Sequence, residues 1–364
     1  MTIKEVADYI EKLAPLSYTE DFDNVGLLVG NYATKVTGVL VTLDTLEQTV
    51  DEAIANNCNL IVSFHPIIFS GLKKLNGTNY VERVVLKAIK HDIAIYATHT
   101  ALDNSDKGVS AKMCEVLGLE YTQVLLPKKG IIKKLAAYVP TEKATELRDA
   151  LFNAGAGNIG NYSNCSFNSE GKGTYKGNEN SNPSIGEKGV LSIENETRIT
   201  AVFESYLESK VLKALFTNHP YEEVAYEIVT LDNINQNIGM GMIGTLPNEM
   251  DEKSFLSFIK KTFKTDCVRY SEFTDKKIKK VAVLGGSGSF AINAAINSKA
   301  DAYISADFKY HDFFKAEKQI LLADIGHYES EQFTKDLLFE YLTKKITNFA
   351  VVLSERSTNP IYYL

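Results

Sequence analysis

The sequence predicts an α/β fold with a strand-end metal site, split in two by a small α+β insert. Three observations carry this. Strand-like and helix-like segments alternate from residue 36 to 117, the pattern changes in kind between 128 and 235, and the alternation then resumes to the end of the chain. The domain boundaries follow: 1–127 as the first half of the α/β unit, 128–235 as the insert, and 236–364 as the second half.

The first element opens with Thr2 and Glu5 at capping-box spacing, and Ile3, Val6, Ile10 and Leu13 recur at helical period behind them. A strand over 36–43, a helix over 45–57 and a strand over Leu60–Ser63 form a βαβ unit, which requires parallel strands. A helix over Tyr80–Lys90, a strand over 93–98 and a helix over Val109–Leu117 extend it. In the insert, 135–139 is strand-like and 143–154 helical, while 156–189 is crowded with Gly, Asn and Ser and is expected to be loop. An apolar segment at 200–203, a helix over 206–216 and a strand over 223–230 close that unit. After the glycine-rich run from Gly239 to Gly244, strands are expected at 281–284, 302–305, 320–323 and 348–353.

At 364 residues the chain has ample material for a large core. Its 39 Lys and Arg against 46 Asp and Glu give a formal charge of −7, which argues against nucleic acid as a partner. Cys58, Cys114, Cys165 and Cys267 form no CxxC pair and read as reduced thiols of a cytoplasmic protein. Apolar runs of about five to seven residues fall far short of the roughly 20 that span a bilayer, so no membrane segment is expected.

Three of the six histidines, His65, His99 and His327, fall directly after expected strands. Ligands in open α/β sheets collect outside the carboxyl ends of strands, so these residues and Asp103 are expected to face one crevice. His327 and Glu331 are four apart at a helix start, which places both on one face. Imidazole with carboxylate suits Zn, Fe or Mn, and a carboxylate bridges ions about 3.5–4 Å apart in two-metal sites. His65 and Asp103 would supply the other half. Hydrogen-bonded capping of turns is the alternative for either histidine alone; the shared strand-end placement favours metal.

Gly286, Gly288 and Ala291 match the G-x-G-x-x-A spacing of dinucleotide turns, with Asp307 placed as a ribose acid. The other reading of Gly286, Ser287 and Gly288 is a tight turn whose amides hold a substrate phosphate. Lys309 and His311, with Asp312, either line the same crevice or form the polar first turn of a surface helix. His219 is expected to be a structural turn residue, and His91 simply ends a helix.

The runs 23–30 (DNVGLLVG), 41–44 (VTLD), 65–69 (HPIIF), 99–104 (HTALDN) and 326–331 (GHYESE) together resemble the Nif-three-like dinuclear-metal family, over essentially the whole chain. The insert resembles the PII/CutA-like domain of longer bacterial members, on 170–174 (EGKGT), 182–186 (NPSIG) and 219–226 (HPYEEVAY). The resemblance implies a toroidal homohexamer, a site for two divalent ions facing an internal cavity, and kinship with GTP cyclohydrolase I type 2 homologs. It would have His65 and Asp103 bind one ion, His327 the other and Glu331 both. The family's His-His-Pro reads Phe64-His65-Pro66 here, so one ligand of the second ion is replaced and uneven affinities are expected. His99, Asp307 and His311 are the candidates to fill that gap. The expected function is metal-dependent hydrolysis of a nucleotide-like substrate, with His311 or Glu329 moving protons and the amides of 285–289 holding phosphate. The alternative is a non-catalytic, metal-binding hexameric regulatory assembly whose insert senses a small ligand.

Overall fold

Thr2 caps the first helix, Ile3–Leu13, as its spacing predicts: the Glu5 amide donates to Thr2 Oγ1 at 3.4 Å and the Thr2 amide to Glu5 Oε2 at 2.7 Å. The apolar stripe of that helix, Ile3, Val6, Ile10 and Leu13, is buried. The computed structural model describes residues 1–364, and the chain divides into two compact units, Met1–Pro127 with Gln236–Leu364, and Lys128–Asn235.

The first unit is a mixed α/β fold containing two sheets rather than one. Its five-stranded sheet runs in the order Gly26–Val29, Ala94–Ala97, Leu60–Ser63, Gly38–Thr42, Ala350–Leu353. All are parallel except the first, which pairs antiparallel with Ala94–Ala97 at the edge. Four of these strands are almost wholly apolar and Gly38–Thr42, Leu60–Ser63 and Ala94–Ala97 are buried throughout, as strands covered on both faces must be. The final strand crosses the whole sequence to pair with Gly38–Thr42, which ties the C-terminus to the N-terminal half.

The six-stranded sheet runs Arg269–Tyr270, Leu321–Asp324, Ala302–Ala306, Ile278–Ser287, Gly239–Met250, Glu120–Pro127. A parallel trio at its centre is flanked by antiparallel neighbours. Three of these strands escape the sequence pattern, the two-residue Arg269–Tyr270 among them. Gly239–Met250 is written with Gly at 239, 241 and 244, and Glu120–Pro127 alternates only weakly. The helix Glu252–Thr262, capped by Asp251, also lies in a stretch without an expected element.

The insert unit reads strand–helix–strand–strand–helix–strand: Ile132–Pro140, Ala144–Asn153, Phe167–Tyr175, Ser192–Glu204, Glu208–Asn218, Tyr226–Leu231. Its sheet order, Phe167–Tyr175, Ser192–Glu204, Ile132–Pro140, Tyr226–Leu231, is antiparallel throughout and is that of a split βαβ unit. Leu135, Ala137, Ile199, Ala201 and Phe203 pack with Leu147, Leu151, Val211 and Leu215 to form its core. The expectation of loop across 156–189 is corrected here: Phe167–Tyr175 is a nine-residue edge strand. It carries almost no buried side chain, so it shows no alternation of polarity to read. No helix is long and apolar enough to cross a membrane.

Candidate metal centre

The carboxyl ends of the two sheets of the first unit each deliver one imidazole to a common point. His65 lies two residues beyond the strand Leu60–Ser63, and His327 begins the short helix His327–Glu331 that follows Leu321–Asp324. The Nε2 atoms of His65 and His327 each lie 3.2 Å from the same atom, Glu331 Oε2. These three donor groups all fall within 4.8 Å of one another. Glu331 is 4% exposed, and its Oε2 is a buried oxygen without a properly aligned hydrogen-bond donor. An acceptor so placed, with two ring nitrogens 3.2 Å away, is what a shared cation would satisfy.

Each half is built the same way. Asp44 follows the strand Gly38–Thr42, parallel neighbour of the strand that precedes His65, and accepts from His65 Nδ1 at 2.8 Å. Asp307 follows Ala302–Ala306, parallel neighbour of the strand that precedes His327, and accepts from His327 Nδ1 at 2.7 Å. A third copy joins Asp23 to His99 Nδ1 at 2.8 Å. A carboxylate on Nδ1 fixes the tautomer, leaves Nε2 as the lone-pair donor and raises its basicity, the usual support of a metal-bound histidine.

The charges follow from this arrangement. Burial alone would lower the His65 pKa, but its hydrogen bond to Asp44 and the adjacent Glu331 carboxylate outweigh that and raise it to about 10. His327 is likewise opposed by burial and carried to about 11 by Asp307 and Glu331. Glu331 is pushed up by burial and pulled down further by the two imidazoles, to about 2. Asp103 rises well above the usual carboxylate range, through burial and then the Glu331 charge.

A cavity of about 230 Å³ opens on the cluster, walled by His99, Asp103, Ser287, His327, Glu331 and the exposed ring of Phe22. Asp103 therefore shares the cavity but stands outside the three-donor cluster. The His99 ring lies 5.4 Å from that of His65. Phe64 is fully buried, its ring 4.8 Å from His65 and 5.6 Å from His99, so position 64 packs an apolar ring behind the two histidines where the resemblance leads one to expect a donor.

Several expected roles move. Asp307 supports His327 and also accepts from the Ser287 hydroxyl, both at Oδ2. The Gly286 amide donates to Ser330 Oγ at 2.9 Å and the Gly288 amide to the Ala306 carbonyl at 3.4 Å, so those two are not free to hold phosphate. Gly286 instead makes room: with φ +69°, a Cβ there would sit 2.4 Å from Glu331 Oε1. Lys309, just before the turn Tyr310–Ala316, and His311 within it are exposed, with His311 against the rings of Tyr310 and Phe314, and neither lines the cavity. Glu329 is buried away from the cavity and accepts from Asn359 at 3.0 Å. His219 is structural: its Nε2 donates to the Tyr138 carbonyl and its Nδ1 accepts from the Tyr221 amide.

Asp44 and Asp23, which hold His65 and His99 by their Nδ1 atoms, have no role in the residue-by-residue reading. Their signal was position, Asp44 just past a strand end like the histidine it supports. Taken as a donor set, two carboxylate-backed imidazoles, an unsatisfied buried carboxylate oxygen and a nearby buried carboxyl fit a divalent ion such as Zn, Fe or Mn.

Comparison with known proteins places this geometry in context. The family model described as Duf34/NIF3 (NGG1p interacting factor 3) matches residues 1–360. A Bacillus subtilis (strain 168) protein called GTP cyclohydrolase 1 type 2 homolog is 39% identical, covering 99% of this chain and 98% of the relative. A Halalkalibacterium halodurans protein of the same name is 37% identical, with 99% and 98% covered. The crystal structure of a Bacillus cereus protein related to NIF3 superposes with a TM-score of 0.85 at 37% identity, covering 100% of this chain and 99% of that one.

Proposed function

Because the chain belongs to the Duf34/NIF3 family, we propose that it is a divalent-metal protein, a dinuclear-type hydrolase acting on a nucleotide-like substrate. The single observation that carries this reading is the buried Glu331 Oε2 set 3.2 Å from two aspartate-backed imidazoles. Divalent ions held by His65, His327, Glu331 and Asp103 would supply Lewis acidity and a nucleophile from water at neutral pH. The chain's own part is to fix that donor set and exclude bulk solvent. His99, kept in one tautomer by Asp23, is the group on the cavity wall best placed to accept or donate a proton through Nε2. Phe64 offers no donor, which would leave one ion less fully ligated and the two affinities unequal. We further read the protein as a cytoplasmic toroidal homohexamer with a PII/CutA-like insert, and the names of its relatives make GTP the first substrate to try.

Glu329 and His311 lie away from the cavity, which supports a second reading, a regulatory assembly whose metals are structural. The test is metal per chain by elemental analysis of the gently purified protein and of Glu331→Ala, followed by formate release and pterin absorbance with GTP. Metal in the wild type, little in the variant, and formate from GTP support the hydrolase. Metal without turnover of GTP or other nucleotides favours the regulatory assembly, and no metal after reloading refutes both.

A further inference from the structure

The insert unit contains a cavity of its own, of about 490 Å³, bounded by the edge strand Phe167–Tyr175, the loop that follows it and the segment around Tyr221. That volume suits a small organic molecule. Its lining is acidic: Glu196, Glu222 and Glu223 face one basic residue, Lys176. Glu196 is only 9% exposed, and its carboxylate lies across Gly173, where a Cβ would come within 2.1 Å of Glu196 Oε2. Any side chain at 173 would displace that carboxylate, so the edge strand is shaped around it.

Aromatic rings complete the wall. Tyr175 and Tyr221 meet edge-on with centroids 5.6 Å apart, and the buried Tyr221 hydroxyl lies beside the Glu196 carboxylate and Tyr175 without a well-aligned hydrogen bond to either. The loop over the cavity is fastened twice, by the Tyr175 hydroxyl donating to the Ile185 carbonyl at 2.9 Å and by the Asn182 amide donating to Glu222 at 2.6 Å. Nearby His219 spends both ring nitrogens on backbone groups and brings no positive charge, and Arg198, itself not in the lining, pairs with Glu227 at 3.5 Å and lies 5.7 Å from the ring of Tyr138, a lining residue. A carboxylate that is nearly buried, beside tyrosine rings and a hydroxyl without a well-aligned partner, recognises a cation that has both hydrogen-bond donors and an apolar body.

We propose that this cavity is a binding site for a small organic ammonium compound, its charged nitrogen donating to Glu196 and the Tyr221 hydroxyl and its carbon chain lying along Tyr175. The inference is independent of the metal centre. An anion is disfavoured by three carboxylates against one lysine, and a bare metal ion would leave most of the volume and the rings unused.

The experiment is calorimetric titration of the full-length protein with putrescine and with butylamine, both protonated primary amines at neutral pH, and with succinate as the anion control. Saturable binding of a cation and none of succinate is expected, weakened about tenfold or more in Glu196→Gln. Tyr221→Phe, which removes only one oxygen, should weaken binding severalfold and keeps the test decisive if the first variant misfolds. No saturable binding of either cation, or binding untouched in both variants, overturns the proposal. So does a sedimentation shift in Glu196→Gln without cation binding by wild type, which would assign the cavity to a second copy of the chain.

Discussion

Loading the centre with metal should expel protons, and their number follows from the geometry. In the metal-free chain the His65 and His327 pKa values, about 10 and about 11, leave both imidazoles charged at neutral pH. Each must be neutral to donate its Nε2 lone pair, whereas Glu331, held at about 2, is already ionised. Uptake by this pair of histidines therefore releases about two protons, with up to one more from Asp103, whose carboxyl is raised. The affinity for Zn or Mn should rise steeply with pH across the neutral range, by about two powers of ten per unit. Calorimetric titration in buffers of different ionisation enthalpy counts the protons directly, and His327→Ala should remove about one. Stability of the metal-free protein has the opposite trend. The imidazolium contributions are complete below the unfolded pKa of about 6.5 and are lost as pH rises through about 10 and 11, while that of Glu331 is present above about 4.5 and lost towards 2. Metal binding whose heat is the same in every buffer and whose affinity is flat with pH would refute the charge arrangement.

The supporting aspartates should matter almost as much as the ligands: Asp44→Asn and Asp307→Asn should each weaken metal retention by about 10–100-fold, read by competition with a chelator. Gly286→Ala should lower the thermal midpoint, at a cost of about 1–3 kcal/mol from its φ of +69°, and should lose metal as well because the new Cβ meets Glu331 Oε1. Phe64→His should raise occupancy of the second ion in elemental analysis. It should also destabilise the metal-free protein by about 1–3 kcal/mol, since a polar ring replaces a fully buried phenyl.

Much of the site could be read from sequence because strand ends are where chemistry gathers and those strands are simple apolar runs. The four-residue spacing of His327 and Glu331 is realised on a five-residue helix, and the strand-end position of His65 brings it to the same oxygen. The supports were harder to see, since a lone Asp after a strand gives no hint of which histidine it will meet until the strand order is known. Asp44 and His65 are neighbours only because Gly38–Thr42 and Leu60–Ser63 pair in parallel. Lys309 and His311 show the converse: they follow a strand of the same sheet, yet the chain turns outward after Asp307 and carries them to the surface. The glycines of Gly239–Met250 and the solvent-facing residues of Phe167–Tyr175 hid two strands, because pairing with neighbours rather than local polarity fixes them.

The insert interrupts the first unit between two residues that face each other, Pro127 and Gly239, in one antiparallel ladder, and its own first and last strands likewise pair Ile132 with Leu231. Four ends thus meet as two adjacent pairs, joined by the short links 128–131 and 232–238. Were the insert unfolded, bringing 127 to 239 would mean closing a loop on the order of 110 residues, about 4 kcal/mol of chain entropy; with the insert folded, the effective loop is roughly ten residues and about 2 kcal/mol. Folding of the insert thereby favours closure of the ladder in the other unit by about 2 kcal/mol. A lesion confined to the insert core, such as Leu147→Asp, would be felt at the Glu120–Pro127 and Gly239–Met250 strands as a longer polymer to close.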